Sequence, residues 1–292
     1  MSVYGAFDQD QLDAQYNCAQ AVGDVQKYFT EWQERSASAR ANLSCSVDVP
    51  YGPGTGETLD IFFPHEALAP VHVFLHGGFW RTQDKGNFSF IAEPLISQGA
   101  AVIIPNYDLC PAVSLDVIVQ QSRTALAWAY RNARLFGGDP NHITVSGHSA
   151  GAHLAVRALE ADWSTFNVPD NFLKAVIGIS GVYDLEPVRR SYLNADLRLG
   201  QQESLRNSPQ LHVPRSKQPL VIAAGSEETP EFQRQSRDYV QSLAGKGFTP
   251  EHVTVENADH YNILDEYNSP ISHLGKRIFE LALANEHSLS NS

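Results

Sequence analysis

His142-Ile143-Thr144-Val145-Ser146-Gly147-His148-Ser149-Ala150-Gly151-Ala152-His153-Leu154-Ala155 decides how the rest of the chain is read. Ile143, Thr144 and Val145 are β-branched and suit a buried strand, while the residues from Ala150 onward are good helix formers. Gly147-x-Ser149-x-Gly151 lies between them, so strand must pass into helix within a very sharp turn. Glycines two residues either side of the apex let the two elements approach, and the apex residue takes a strained backbone. That strain holds the Ser149 hydroxyl up before a helix N-terminus, as an exposed nucleophile.

Working outward, Val71–Leu75 and Ala100–Pro105 are apolar runs without alternation, as are Ala175–Ile179 and Leu220–Ala224. Strands of that kind belong to a parallel sheet covered on both faces. His252–Val255 is the last strand, and Cys45–Val49 with Thr58–Phe63 reads as a hairpin turning at Pro53-Gly54-Thr55-Gly56. A helical stretch runs around Phe88–Ser97. Ser114 caps a long helix whose inward stripe is Leu115, Val119, Ser122, Leu126, Ala129, Ala133 and Phe136, stopped by Gly137-Gly138. Thr229-Pro230 starts another helix, and Ser269-Pro270 starts the terminal one, with Ile271, Leu274, Ile278 and Leu281 facing in. The chain is expected to loosen after Asn285. Residues 1–42 read as an N-terminal helical extension, and residues 181–218 as a small cap over the site. Strand–helix alternation through all 292 residues predicts a single α/β domain.

Composition narrows the function. A net charge of −12 excludes nucleic-acid and anionic-membrane partners, and no apolar run is long enough to span a bilayer. The first ten residues lack a basic and an apolar region, so no secretory signal is expected. Cys18, Cys45 and Cys110 are odd in number and scattered, which suits a reduced, cytoplasmic setting. The expected partner is a small acyl substrate. No cofactor and no metal are expected, and a homodimer is left open.

A serine nucleophile needs a base, an orienting acid and donors for an oxyanion. His260, just beyond the last strand, is the candidate base. The favoured acid is Glu228, in the loop after Leu220–Ala224, over its neighbours Glu227 and Glu231, over Asp184, and over Asp259, which stands too close to His260. His76-Gly77-Gly78-Phe79-Trp80 leaves a strand end beside the turn, so the N–H groups of Gly78, Phe79 and Ala150 are the candidate oxyanion donors. At least one of Phe79 and Trp80 is expected to line the acyl pocket and bind substrate.

His-Gly-Gly-x-Trp, then Gly-His-Ser-Ala-Gly-Ala-His-Leu, Ser180-Gly181-Val182-Tyr183-Asp184-Leu185 and Thr-Pro-Glu-Phe after the acid resemble the kynurenine formamidase (arylformamidase) group of α/β-hydrolases, from about Tyr51 to Tyr261. The resemblance implies the α/β-hydrolase fold, the triad Ser149, Glu228 and His260, and an aryl formamide such as N-formylkynurenine as substrate. The family usually carries Asp where this chain has Glu228. A carboxylesterase of small-acyl esters is the alternative. A catalytically inactive hydrolase-fold binding module is a third reading, and the presence of all three triad residue types speaks against it.

Overall fold

The strands β1 (Cys45–Pro50), β2 (Thr58–Phe62), β3 (Ala69–Leu75), β4 (Ala101–Pro105), β5 (Gly138–His148), β6 (Leu173–Ile179), β7 (Leu220–Gly225) and β8 (Glu251–Val255) build one sheet. In the computed structural model, which describes residues 2–283, their order is β1-β2-β4-β3-β5-β6-β7-β8. β2 is antiparallel to β1 and β4, and every later pairing is parallel. Odd and even residues of β4 and β7 are buried alike, so both faces of the sheet are covered.

Register fixes where the chemistry can sit. Leu75 pairs with Gly147, His148 with Ile179, Ile179 with Ala223, and Gly225 with Val255. The carboxyl ends of β3, β5, β6, β7 and β8 therefore finish at one edge, where loops of parallel sheets form their crevice.

The helices fill the intervals. α1 (Gln9–Tyr16), α2 (Cys18–Val22) and α3 (Gln26–Asn42) precede the sheet, so the N-terminal extension is helical in three pieces. α4 (Ala92–Ser97) follows a 3-10 helix over Lys85–Ile91, and α5 (Leu115–Asn132) carries its buried stripe on into a 3-10 turn at Ala133–Phe136. Gly137 then takes the left-handed conformation that ends it. α6 (Ala150–Arg157) leaves β5, α7 (Glu186–Arg190), α8 (Asn194–Leu197) and α9 (Gln201–Arg206) join β6 to β7, and α10 (Pro230–Gly245) joins β7 to β8.

The terminal helix, α11 (His273–Leu283), starts later than expected. Ser272 Oγ accepts the N–H of Gly275 at 3.1 Å, so Ser272 is its working cap, and Ser269-Pro270 lies in the turn before it. Ile271 is consequently outside the helix and 95% exposed, whereas Leu274, Ile278 and Leu281 are buried as expected. The loosening expected after Asn285 lies outside the described residues.

α3 is held to the sheet by charge and aromatic packing. Its Arg40 reaches the fully buried Asp60 of β2 at 2.7 Å, and Lys85 meets the same carboxylate at 2.9 Å. Trp32 packs its ring 5.3 Å from Phe88 and 6.0 Å from Phe90. Among the described residues no helix is long and apolar enough to cross a membrane.

Candidate active site

Ser149 stands at φ 57° and ψ −120°, a left-handed backbone that a residue with a Cβ adopts at a cost of order 1–3 kcal/mol. The glycines around it are steric necessities. A Cβ on Gly147 would lie 2.1 Å from the Gly151 carbonyl oxygen, and one on Gly151 would lie 1.9 Å from that of Leu75. The Ser149 N–H donates to the Ile179 carbonyl at 2.9 Å, tying the apex to the end of β6.

His260 Nε2 lies 3.1 Å from Ser149 Oγ, and its Nδ1 lies 2.8 Å from Glu228 Oε2. A carboxylate there accepts, so Nδ1 carries the hydrogen and Nε2 is left to accept from the serine hydroxyl. The other Glu228 oxygen accepts from Ser180 Oγ at 2.6 Å and from the Gly225 N–H at 2.7 Å. All three side chains are buried. Burial pulls the His260 pKa down; the Cys18 sulfur and the Glu228 carboxylate pull it up, and the upward pull prevails.

The other acids are engaged elsewhere. Glu231 pairs with Arg234 at 2.7 Å, and Asp184 accepts from Tyr4 OH and the Glu186 N–H. Asp259 accepts the N–H groups of Tyr261 and Asn262 and the hydroxyl of Tyr28, which shapes the loop before His260. Glu227 is fixed through its backbone, with its N–H on the Ala258 carbonyl.

At the end of β3, Gly78, Phe79 and Trp80 all take positive φ. Such a succession turns the backbone N–H groups of Gly78 and Phe79 out of the strand ladder. Among the described residues neither these nor the N–H of Ala150 has a protein acceptor, as donors awaiting an oxyanion would. Gly77 is packed so closely that a Cβ there would meet the Ser149 Cβ at 3.0 Å.

A cavity of about 300 Å³ opens at Ser149 and His260. Phe79 lines it, but Trp80 does not. Trp80 is fully buried with its ring edge-on to His153 at 4.9 Å, so the expectation that it binds substrate is corrected to core packing. The 181–218 segment contributes Tyr192, whose hydroxyl donates to the Tyr16 carbonyl at 3.4 Å, and the N-terminal extension contributes Tyr16, Cys18, Phe29 and Trp32.

Three supporting residues escaped sequence reasoning. His148 Nε2–H donates to the His260 carbonyl at 2.7 Å, and burial, then the neighbouring His260 charge, holds its own pKa well below the usual range. Ser180 braces Glu228, and Cys18 lies beside the His260 ring. His148, as the variable residue inside the Gly-x-Ser-x-Gly turn, and Ser180, at the head of the Ser180–Leu185 motif, carried a signal in the sequence; Cys18 carried none.

A mostly parallel sheet with a strained serine at the end of a central strand defines the α/β-hydrolase class, and this chain is a hydrolase of that fold. The BD-FAE family model matches residues 59–243. The kynurenine formamidase of Salmo salar is 32% identical over 96% of this chain and 99% of its own length, and that of Danio rerio 30% identical over 91% and 94%. A crystallised protein from Silicibacter sp., provisionally assigned as a thioesterase, superposes with a TM-score of 0.81 at 28% identity, covering 90% of this chain and 97% of the other. The chain belongs to the kynurenine formamidase family.

Proposed function

We propose that the protein is an arylformamidase that hydrolyses N-formylkynurenine to kynurenine and formate. Ser149 Oγ attacks the formyl carbon while His260 Nε2 takes its proton. The N–H groups of Gly78, Phe79 and Ala150 receive the oxyanion. His260 then protonates the leaving aryl amine, water enters, and the same imidazole drives release of formate. Glu228 keeps the proton on Nδ1 throughout. The observation that carries this reading is the aromatic lining of the cavity beside Ser149: Tyr16, Phe29, Trp32 and Tyr192 suit an aryl leaving group, and Phe79 lines it next to the candidate oxyanion donors, which suits a small acyl group.

The free thiols of Cys18, Cys45 and Cys110 support a reducing, cytoplasmic location. One sheet running from Cys45 to Val255 supports a single domain carrying residues 1–42 as an extension. Hydrolysis of small-acyl esters is the second reading, favoured by the structural likeness to the Silicibacter protein. The test is a series of kcat/KM values. N-formylkynurenine should exceed 4-nitrophenyl acetate, and acetyl esters should exceed butyryl and octanoyl esters by roughly 10-fold or more per step in a tight pocket. A preference rising toward octanoyl, with no formate released from N-formylkynurenine, would leave a general esterase.

A further inference from the structure

The chain carries a net charge of −12, yet no carboxylate lines the cavity at Ser149. Among the described residues Arg81 is the one lining side chain with a permanent charge. Its place is fixed, because the Arg81 N–H donates to the Gly78 carbonyl at 3.1 Å, within the turn that presents the candidate oxyanion donors. Its Nη1 donates to Asp196, and its guanidinium carbon sits 5.8 Å from the centre of the Tyr192 ring, another wall of the cavity. Both side chains of the pair keep solvent contact, and an exposed ion pair stabilises a fold little. Its position suits recognition better.

We infer that Arg81 reads the amino-acid head group of the substrate by taking its α-carboxylate, while Asp196, which lies outside the cavity lining, positions the guanidinium. The inference rests on the formamidase reading and adds to it the residue that recognises the α-carboxylate. A planar guanidinium is suited to a carboxylate, and engaging Nη1 with Asp196 still leaves it further N–H donors. The α-carboxylate meets an acidic protein, but salt screens charges beyond about 8 Å, so the local cation decides.

Isothermal titration of the full chain with L-kynurenine and with kynuramine, its counterpart lacking the carboxylate, tests this without any turnover. In Arg81→Gln the Kd for kynurenine should rise on the order of tenfold to hundredfold, the scale of a charge-assisted hydrogen bond, while that for kynuramine changes less than about threefold. Arg81→Lys should recover part of the loss. Asp196→Asn should raise the Kd for kynurenine less than Arg81→Gln does, and leave that for kynuramine within about threefold. If Arg81→Gln weakens both ligands alike, or neither, or if the wild-type chain binds neither, the inference fails. Failure of the formamidase reading is scored separately, by formate release from N-formylkynurenine with the wild-type chain.

Discussion

Replacing Glu228 by Gln changes one oxygen to an amide nitrogen and almost nothing else, so its cost can be worked from the contacts. The oxygen that accepts from Ser180 Oγ and the Gly225 N–H faces two donors. The amide must therefore keep its carbonyl there and turn its NH2 toward His260 Nδ1, now 2.8 Å from a donor instead of an acceptor. Nδ1 can meet that NH2 only by giving up its hydrogen. The proton moves to Nε2, which then points a hydrogen at Ser149 Oγ and can no longer act as base. The equivalent tautomer error in serine proteases costs about ten-thousand-fold in kcat, or about 5 kcal/mol of barrier at 1.36 kcal/mol per decade. The assay is kcat for N-formylkynurenine, with a thermal melt to show that the isosteric variant is folded. Glu227→Gln, Asp184→Asn and Asp259→Asn serve as comparisons and should cost far less. A folded Glu228→Gln variant losing less than about a hundredfold would refute the tautomer lock, and a crippling Asp184→Asn would move the acid to the end of β6.

Ser149→Ala should lower kcat by about a million-fold, and a fluorophosphonate should label Ser149 alone; peptide mapping that finds the label on another serine would reject the nucleophile. His260 must be neutral to act, and its pKa is raised, so kcat/KM should fall as pH drops through a midpoint above the ordinary histidine value of about 6.5. A midpoint at or below 6.5, with chemistry rate-limiting, would contradict the upward pull of Glu228.

The parts of this site that could be read in the sequence are those fixed by the period of the fold. Apolar runs located the parallel strands, and each strand end announced one loop of the candidate site, where Ser149, Glu228 and His260 come within hydrogen-bond reach of one another. What stayed illegible came from contacts between distant segments. Nothing local to α1 and α2 says that Tyr16 and Cys18 will line the cavity at Ser149, because α1 is held by distant α10, where Tyr16 OH donates to Glu231 at 3.0 Å and accepts from Gln235 at 2.8 Å. Trp80 looked equally suited to pocket and core. The outcome was set by His153, one turn into α6, which offers its ring to the indole edge. Ile271 fit the helical spacing, yet a serine three residues after the obvious cap took over the start of α11 and left it outside.

The end of β6 holds both extremes of the relay. Ile179 receives the N–H of Ser149, and the next residue, Ser180, grips Glu228 while its own N–H is tied to Ala223. In mechanical terms, the candidate nucleophile and the candidate acid share a single datum instead of being located through two separate loops. An error in the height of that strand end displaces both by the same amount and leaves their separation nearly intact, whereas an extra residue between Ile179 and Ser180 would pull them out of alignment together. Insertions should therefore be tolerated better in the loop around the exposed Val213, outside the cavity lining, than at this one peptide link.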